Sequence, residues 1–196
     1  MHADLCPPVE EIRVLEGGLQ APSLAAAAVG YGADLGTTRF GYPTLERWCI
    51  WVEPDATSPQ TQARWLQRWS GSVDAAIDAW VEVIPITRVN EPERAQIHVL
   101  RRRPPRRQLA SGWRASNGRS TLRLAEVKRQ GHWRLEPTVE VMVSPELRAP
   151  VLQAAALHEL GHAFGLWGHS DQPADAMAVS QGVTPVLALS ARDLAT

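Results

Sequence analysis

Apolar residues recur along this chain with two different periods, and the switches between them mark the elements. RWCIWVE at 47–53 is a short apolar run bounded by Pro43 and Pro54, so it predicts a first strand. Between 58 and 83 the period lengthens. Leu66, Trp69, Val73, Ile77 and Trp80 stand three or four residues apart, the spacing of one buried helical face. Ser58 serves as an N-cap, and Pro59 suits the first helical position, where its missing N–H costs nothing. Gly71 weakens the middle of this helix without ending it. Trp65, Trp69 and Trp80 are expected in the core. AQIHVL at 95–100, TLRLAEV at 121–127 and WRLEPTVEVMVS at 133–144 read as further strands. In the last of these Val139, Val141 and Val143 point one way, with Glu140 and Met142 opposite. VLQAAALHELGHAFGL at 151–166 is rich in Ala and Leu and predicts a second long helix, entered through SPELRAP. Strand, helix, several strands, helix is an α+β order, and no internal repeat is present.

Two stretches lack either period. Residues 1–43 are rich in Pro, Gly and Ala and read as a poorly packed lead-in or an extended wrap, leaving 44–196 as the main domain. Residues 101–121 read as a long loop. It opens with RRRPPRR, whose prolines 104 and 105 block helix and central strand alike.

Composition narrows the function classes. A chain of 196 residues with 44% hydrophobic and 21% charged content suits one soluble globular domain. A net charge of −1 provides no global field toward nucleic acid or membrane. The arginines of 101–107 come without an aromatic stacking platform, so they are read as a solvated loop and no nucleic-acid partner is expected. SLAAAAVGYGA at 23–33 is too short and glycine-broken to span a bilayer, and the opening residues lack the layout of a signal peptide. Cys6 and Cys49 fit no metal-binding spacing; they either pair or stay free thiols. His98 is a lone histidine, packed or exposed rather than a ligand.

The chemistry concentrates in HELGHAFGLWGHS at 158–170, which holds three of the six histidines. On a helix, residues four apart share a face, so His158 and His162 present two imidazoles to one metal ion. Glu159, beside the first, can reach water at that metal without ligating it, the place of a general base. Gly165 can adopt positive φ, end the helix abruptly and let the chain fold back to aim a third side chain at the same point. His169 falls in that returning loop. Asp171 and Asp175 are alternative third ligands, and His169 is favoured because neutral imidazole suits zinc. No glutamate follows Glu159, which excludes a downstream glutamate ligand.

This constellation resembles the metzincin clan of zinc peptidases, whose pattern is H-E-x-x-H-x-x-G-x-x-H followed by a methionine turn. The third histidine of that pattern would fall on Gly168, and here it comes one residue later, at His169. One extra residue in the loop, with Trp167 or Gly168 bulged, restores the match, and glycine at 168 makes the bulge inexpensive. The register then resumes as in matrixins: Ser170 follows His169, and Met177 stands eight residues beyond it in HSDQPADAM. LSARDL at 189–194 resembles the start of the matrixin C-terminal helix. GLWGHS with a downstream D-A-M is similar to small bacterial matrixin-like zinc proteases that carry the same extra residue.

The resemblance implies a twisted mixed sheet backed by a long helix, an active-site helix carrying HExxH, and a small C-terminal subdomain with the methionine turn. It implies a zinc endopeptidase with His158, His162 and His169 on Zn2+, Glu159 as base, and Met177 and Gly165 in support. A polypeptide substrate is expected to lie extended along an edge strand, for which 138–143 is the candidate, with specificity set beside the metal by the stretch after Met177. A monomer is expected, and the resemblance favours a secreted or periplasmic location. Cys6, in LCPP, lacks the flanking residues of the known latency cysteine motif, so a disulfide or a free thiol is favoured for it. Two alternatives stay open: a zinc-stabilised binding module without catalysis, and a zinc hydrolase acting on a non-peptide amide.

Overall fold

The fold is built on a six-stranded sheet whose buried rows are the apolar runs of the sequence. A computed structural model describes residues 4–22, 30–55, 60–109, 112–114, 116–180 and 182–196. The strands are β1 (Glu11–Leu15), β2 (Trp48–Val52), β3 (Ile86–Arg88), β4 (Ile97–Leu100), β7 (Gly118–Arg129) and β8 (His132–Val143), in spatial order β1-β7-β8-β4-β2-β3. β8 runs parallel to β4, and β2 runs parallel to both β3 and β4. The hairpin partner β7 is antiparallel to β8, and β1 is antiparallel to β7. A separate small hairpin joins β5 (Arg107–Leu109) to β6 (Gly112–Arg114). It lies inside the stretch expected to be all loop. Upstream of it Arg102, Arg103 and Arg106 are exposed, as a solvated loop requires.

Register stacks the apolar rows across the sheet. Ile50 pairs with Ile97 and Ile97 with Val139, and Val52, Val99 and Val141 form the next row. Against them pack α1 (Gln60–Val81) and α2 (Ala149–Ala163). Trp69, Val73 and Ile77 are fully buried and Trp80 nearly so, as the helical stripe predicts. The two core tryptophans also find acceptors: Trp69 Nε1 donates to the Val143 carbonyl at 3.1 Å and Trp80 Nε1 to that of Leu157 at 3.1 Å. Trp65 is not in the core; it is half exposed and stacked by Arg68, because position 65 lies one residue off the stripe. Helix α1 continues through Gly71. The expected cap, Ser58 and Pro59, falls outside the described residues. A six-stranded sheet with few helices fits the α+β class, and no described helix is long and apolar enough to cross a membrane.

The expected edge strand changes as well. Segment 138–143 is no edge: one side of β8 is bonded to β7 along its length, and its other side is taken by β4 from Ile97↔Val139 to Leu100↔Met142. Alternation along a strand reports its faces and is silent about its edges. The edge beside α2 is the first half of β7, because β1 pairs only with Leu124–Lys128.

Of the two readings of residues 1–43, the described part follows the wrap. β1 joins the sheet, and Cys6 forms a disulfide with Cys49 of β2 across a Cα–Cα distance of 6.0 Å. The pairing occupies Cys6 and leaves it no role as a metal ligand. Residues 6–7 cover a buried polar cluster on the sheet face opposite the helices. There Arg129 and Glu136 form an ion pair at 3.1 Å, Gln96 donates to the same Glu136 oxygen at 3.1 Å, and Arg129 also bonds the Pro7 carbonyl. Each buried charge is thereby paired and hydrogen-bonded, which offsets its desolvation.

Candidate metal centre

Helix α2 is apolar nearly all round, with Leu152, Ala156, Leu157 and Leu160 fully buried, so it lies sandwiched between the sheet with α1 and the C-terminal segment. It ends in a Schellman motif. The Gly165 N–H donates to His162 O at 3.0 Å and the Leu166 N–H to Gly161 O at 3.0 Å, with Gly165 at φ +117°. The left-handed turn needs a glycine, and a side chain there would also meet Thr44 Cγ2 at 2.6 Å. The chain therefore reverses directly after the two helical histidines, as Gly165 predicts.

The reversal brings His169 back to them. Ring centroids of His158, His162 and His169 lie 4.8, 4.9 and 5.2 Å apart, and their ligating nitrogens all fall within 4.8 Å of one another. Among the described residues, no other group of three His, Cys, Asp or Glu gathers in this way. His158 Nδ1 stands 2.8 Å from the Ala176 carbonyl oxygen and His162 Nδ1 2.7 Å from that of Leu166. A carbonyl only accepts, so both Nδ1 atoms carry hydrogen and both Nε2 lone pairs are left for a metal. Desolvation lowers the pKa values of all three rings, which favours their neutral form. His162, also beside His158, is pushed down to about 3. Three neutral imidazoles, two of them fixed from behind by carbonyls, are a donor set that fits zinc. Asp171 and Asp175, the alternative ligands, are turned away: Asp171 bonds Arg192, and Asp175 accepts from Ser170 Oγ at 2.5 Å.

Glu159 enters the same cleft, of about 810 Å³, from the helix side. Its carboxylate lies against β7. Ser120 Oγ is 2.8 Å from Oε2 and 2.8 Å from the Glu159 carbonyl oxygen, and Gly118 packs flat against the side chain. Val151, Ala155, Val179 and Val183 give the cleft apolar wall beyond the histidines, and Leu19 closes it from the N-terminal side.

The loop that carries Trp167 and Gly168 has a physical setting. Gly168 lies on the backbone of Asp34 and Leu35, and a Cβ there would collide with the Asp34 carbonyl oxygen. Its φ is not positive, so glycine serves close approach there rather than a left-handed turn. The Gly36 N–H donates to Trp167 O at 2.8 Å, and the Trp167 ring stacks on His162 at 5.5 Å. Met177 is fully buried under the site, where its sulfur fills the space that a Cβ on Gly161 would need. Tyr31 and Leu35 of the wrap pack on the same methionine.

Behind Met177, Asp193 is buried and organises the turn. It accepts from the Tyr31 hydroxyl at 2.7 Å, from Ala176 N at 2.8 Å and from Ser190 N at 2.9 Å. Asp193 belongs to α3 (Ala191–Ala195), capped by Ser190 in a capping box. Ser-x-x-Asp at 190–193 is a cap pattern visible in the sequence, but its grip on the backbone at Ala176 and Met177 is a long-range contact with no local signature. Gly118, Ser120 and Tyr31 are likewise site residues that no motif announces. No protein-family model matches this chain, and comparison with curated proteins finds no match either.

Proposed function

We propose that this chain is a zinc-dependent endopeptidase of metzincin, matrixin-like type. The observation that carries the reading is the convergence of His158, His162 and His169 on one point, with the Glu159 carboxylate in the same cleft. The Schellman turn at Gly165 and the buried Met177 beneath the histidines support it.

His158, His162 and His169 would hold the ion through nitrogen. When bound, zinc supplies Lewis acidity that acidifies water and polarises a carbonyl. Glu159 takes the proton of the attacking water and delivers it to the leaving amine. An extended polypeptide adds to the free edge of β7, residues 118–123, rather than to 138–143. There main-chain hydrogen bonds align the scissile carbonyl with little demand on sequence. The apolar wall formed by Val151, Val179 and Val183 receives the side chain beside the cleaved bond.

The test is metal content by mass spectrometry together with cleavage of casein, on the wild type, Glu159→Ala and His169→Ala. One zinc per chain is expected in the wild type and in Glu159→Ala, with cleavage reduced about 10²- to 10⁴-fold in the latter. His169→Ala should lose zinc readily. Casein cleavage by Glu159→Ala at the wild-type rate would remove Glu159 as the base. Zinc binding without cleavage in the wild type would instead favour the non-catalytic module.

A further inference from the structure

Glu159 is held from two sides, by its helix and by the edge strand across the cleft. Gly118 and Ser120, two residues apart on β7, share the strand face turned toward α2. A Cβ at 118 would stand 2.5 Å from Glu159 Cγ, 2.9 Å from Oε1 and 3.1 Å from Cδ, so only glycine leaves the carboxylate its present position. Ser120 Oγ meets the other oxygen, Oε2, at 2.8 Å. Its second neighbour, the Glu159 carbonyl oxygen, is also at 2.8 Å. A hydroxyl has a single proton to share between them, and the charged carboxylate is the stronger acceptor.

We propose that Ser120 is a positioning residue for Glu159, fixing the carboxylate in the cleft through Oε2 while Gly118 leaves room for the rest of the side chain. As far as activity is concerned, this rests on the peptidase reading. The physical reason is geometric. Glu has three side-chain torsions, and a base acts only within hydrogen-bond reach of the proton it takes. A displacement of about 1 Å in such a group costs up to about 10²-fold in rate. A purely structural tie from β7 to α2 would run through the carbonyl bond and would show in stability, not in turnover.

The experiment uses the full zinc-loaded chain as wild type, Ser120→Ala, Ser120→Thr and Gly118→Ala, with quenched-fluorescent casein. Zinc content, Tm, kcat and KM are measured, and crystal structures of wild type and Ser120→Ala are solved. Ser120→Ala should lower kcat about 10- to 100-fold at unchanged KM and zinc content, and its crystal should show Glu159 in a different rotamer. Ser120→Thr, which keeps the hydroxyl, should restore kcat to within about threefold. Gly118→Ala should lower kcat in the same way, by pushing the carboxylate from the other side. An unchanged kcat and Glu159 rotamer in Ser120→Ala would overturn the proposal. So would a loss of kcat that follows a fall in Tm or zinc and is not rescued by threonine. If no protein cleaves casein, wild type included, the peptidase reading fails. The Glu159 rotamers in the two crystals still decide whether Ser120 positions it.

Discussion

Helix α2 and the N-terminal wrap flank the same three histidines, the helix by carrying two of them and the wrap by packing on Trp167, Gly168 and Met177, and they are built by opposite means. In α2, His158 and His162 are neighbours through the four-residue repeat of the helix, and the apolar residues around them bury the helix on α1 and the sheet. The wrap has no repeat. It reaches the centre through single long-range bonds: the Gly36 N–H on Trp167 O, the Tyr31 hydroxyl on Asp193 162 residues away, and the Cys6–Cys49 bond back to β2. One region depends on many weak, redundant contacts, the other on few contacts that are individually decisive. Damage should therefore spread differently from each.

The largest effect expected from the wrap comes from its cross-link. Removing a bond that closes a separation of 43 residues frees the unfolded chain, an entropy equivalent to about 4 kcal/mol. The double variant Cys6→Ser, Cys49→Ser should lower Tm by roughly 8–16 °C for a domain of this size, read by calorimetry. A shift under about 2 °C would mean that the rest of the wrap is held well enough without it, and the contrast with α2 would weaken.

Next comes Tyr31→Phe, which deletes one oxygen. Asp193 then loses a donor in a buried place, worth about 1.5–3 kcal/mol because the acceptor is charged. The change should also reach the metal. Asp193 accepts from Ala176 N, and the Ala176 carbonyl accepts from His158 Nδ1. Loosening that relay should weaken zinc binding about tenfold, the low end for a group that orients a ligand from behind, read by competition with a chelator. Unchanged zinc affinity alongside lost stability would confine Tyr31 to packing.

The same contrast explains what could be read in advance. The stripe of α1, the strand at 47–53, the HExxH helix and the reversal at Gly165 are local in sequence, and each is visible as a period or a cap. Trp65 is half exposed although tryptophan is usually buried, because its position lies off the stripe. Segment 138–143 is interior, against the reading of an edge, because pairing partners are non-local: β4 sits beside β8, with Ile97 opposite Val139. The loop at 166–169 is visible in the sequence as a spacing between His162 and His169. Its setting is not, since the surface that Gly168 lies on is a backbone segment more than 130 residues earlier. Gly118 and Ser120 carry no signal in the sequence for the same reason: their partner Glu159 lies 39 residues beyond Ser120.

The effect that separates the two regions most cleanly is their response to pH in the metal-free protein. On the helix side, desolvation lowers the pKa values of His158, His162 and His169, that of His162 to about 3. A lowered histidine pKa means that the unfolded chain takes up protons first. The stability contribution is complete above the unfolded value near 6.5 and is lost as pH falls below it, for His162 down toward about 3. On the wrap side, burial and then the hydrogen bond to Asp193 raise the pKa of the Tyr31 phenol above its ordinary value of 10. The sign is reversed: the contribution is complete below pH 10 and is lost as pH rises beyond it, because the unfolded chain ionises first. Acid should therefore loosen the α2 side and alkali the wrap side. Thermal unfolding from pH 4 to 11 should show both limbs in the metal-free wild type. His162→Gln should flatten the acid limb alone, and Tyr31→Phe the alkaline limb alone. If either substitution flattened both limbs equally, the two regions would form one electrostatic unit, and the division between a redundant helix and a sparse wrap would be wrong.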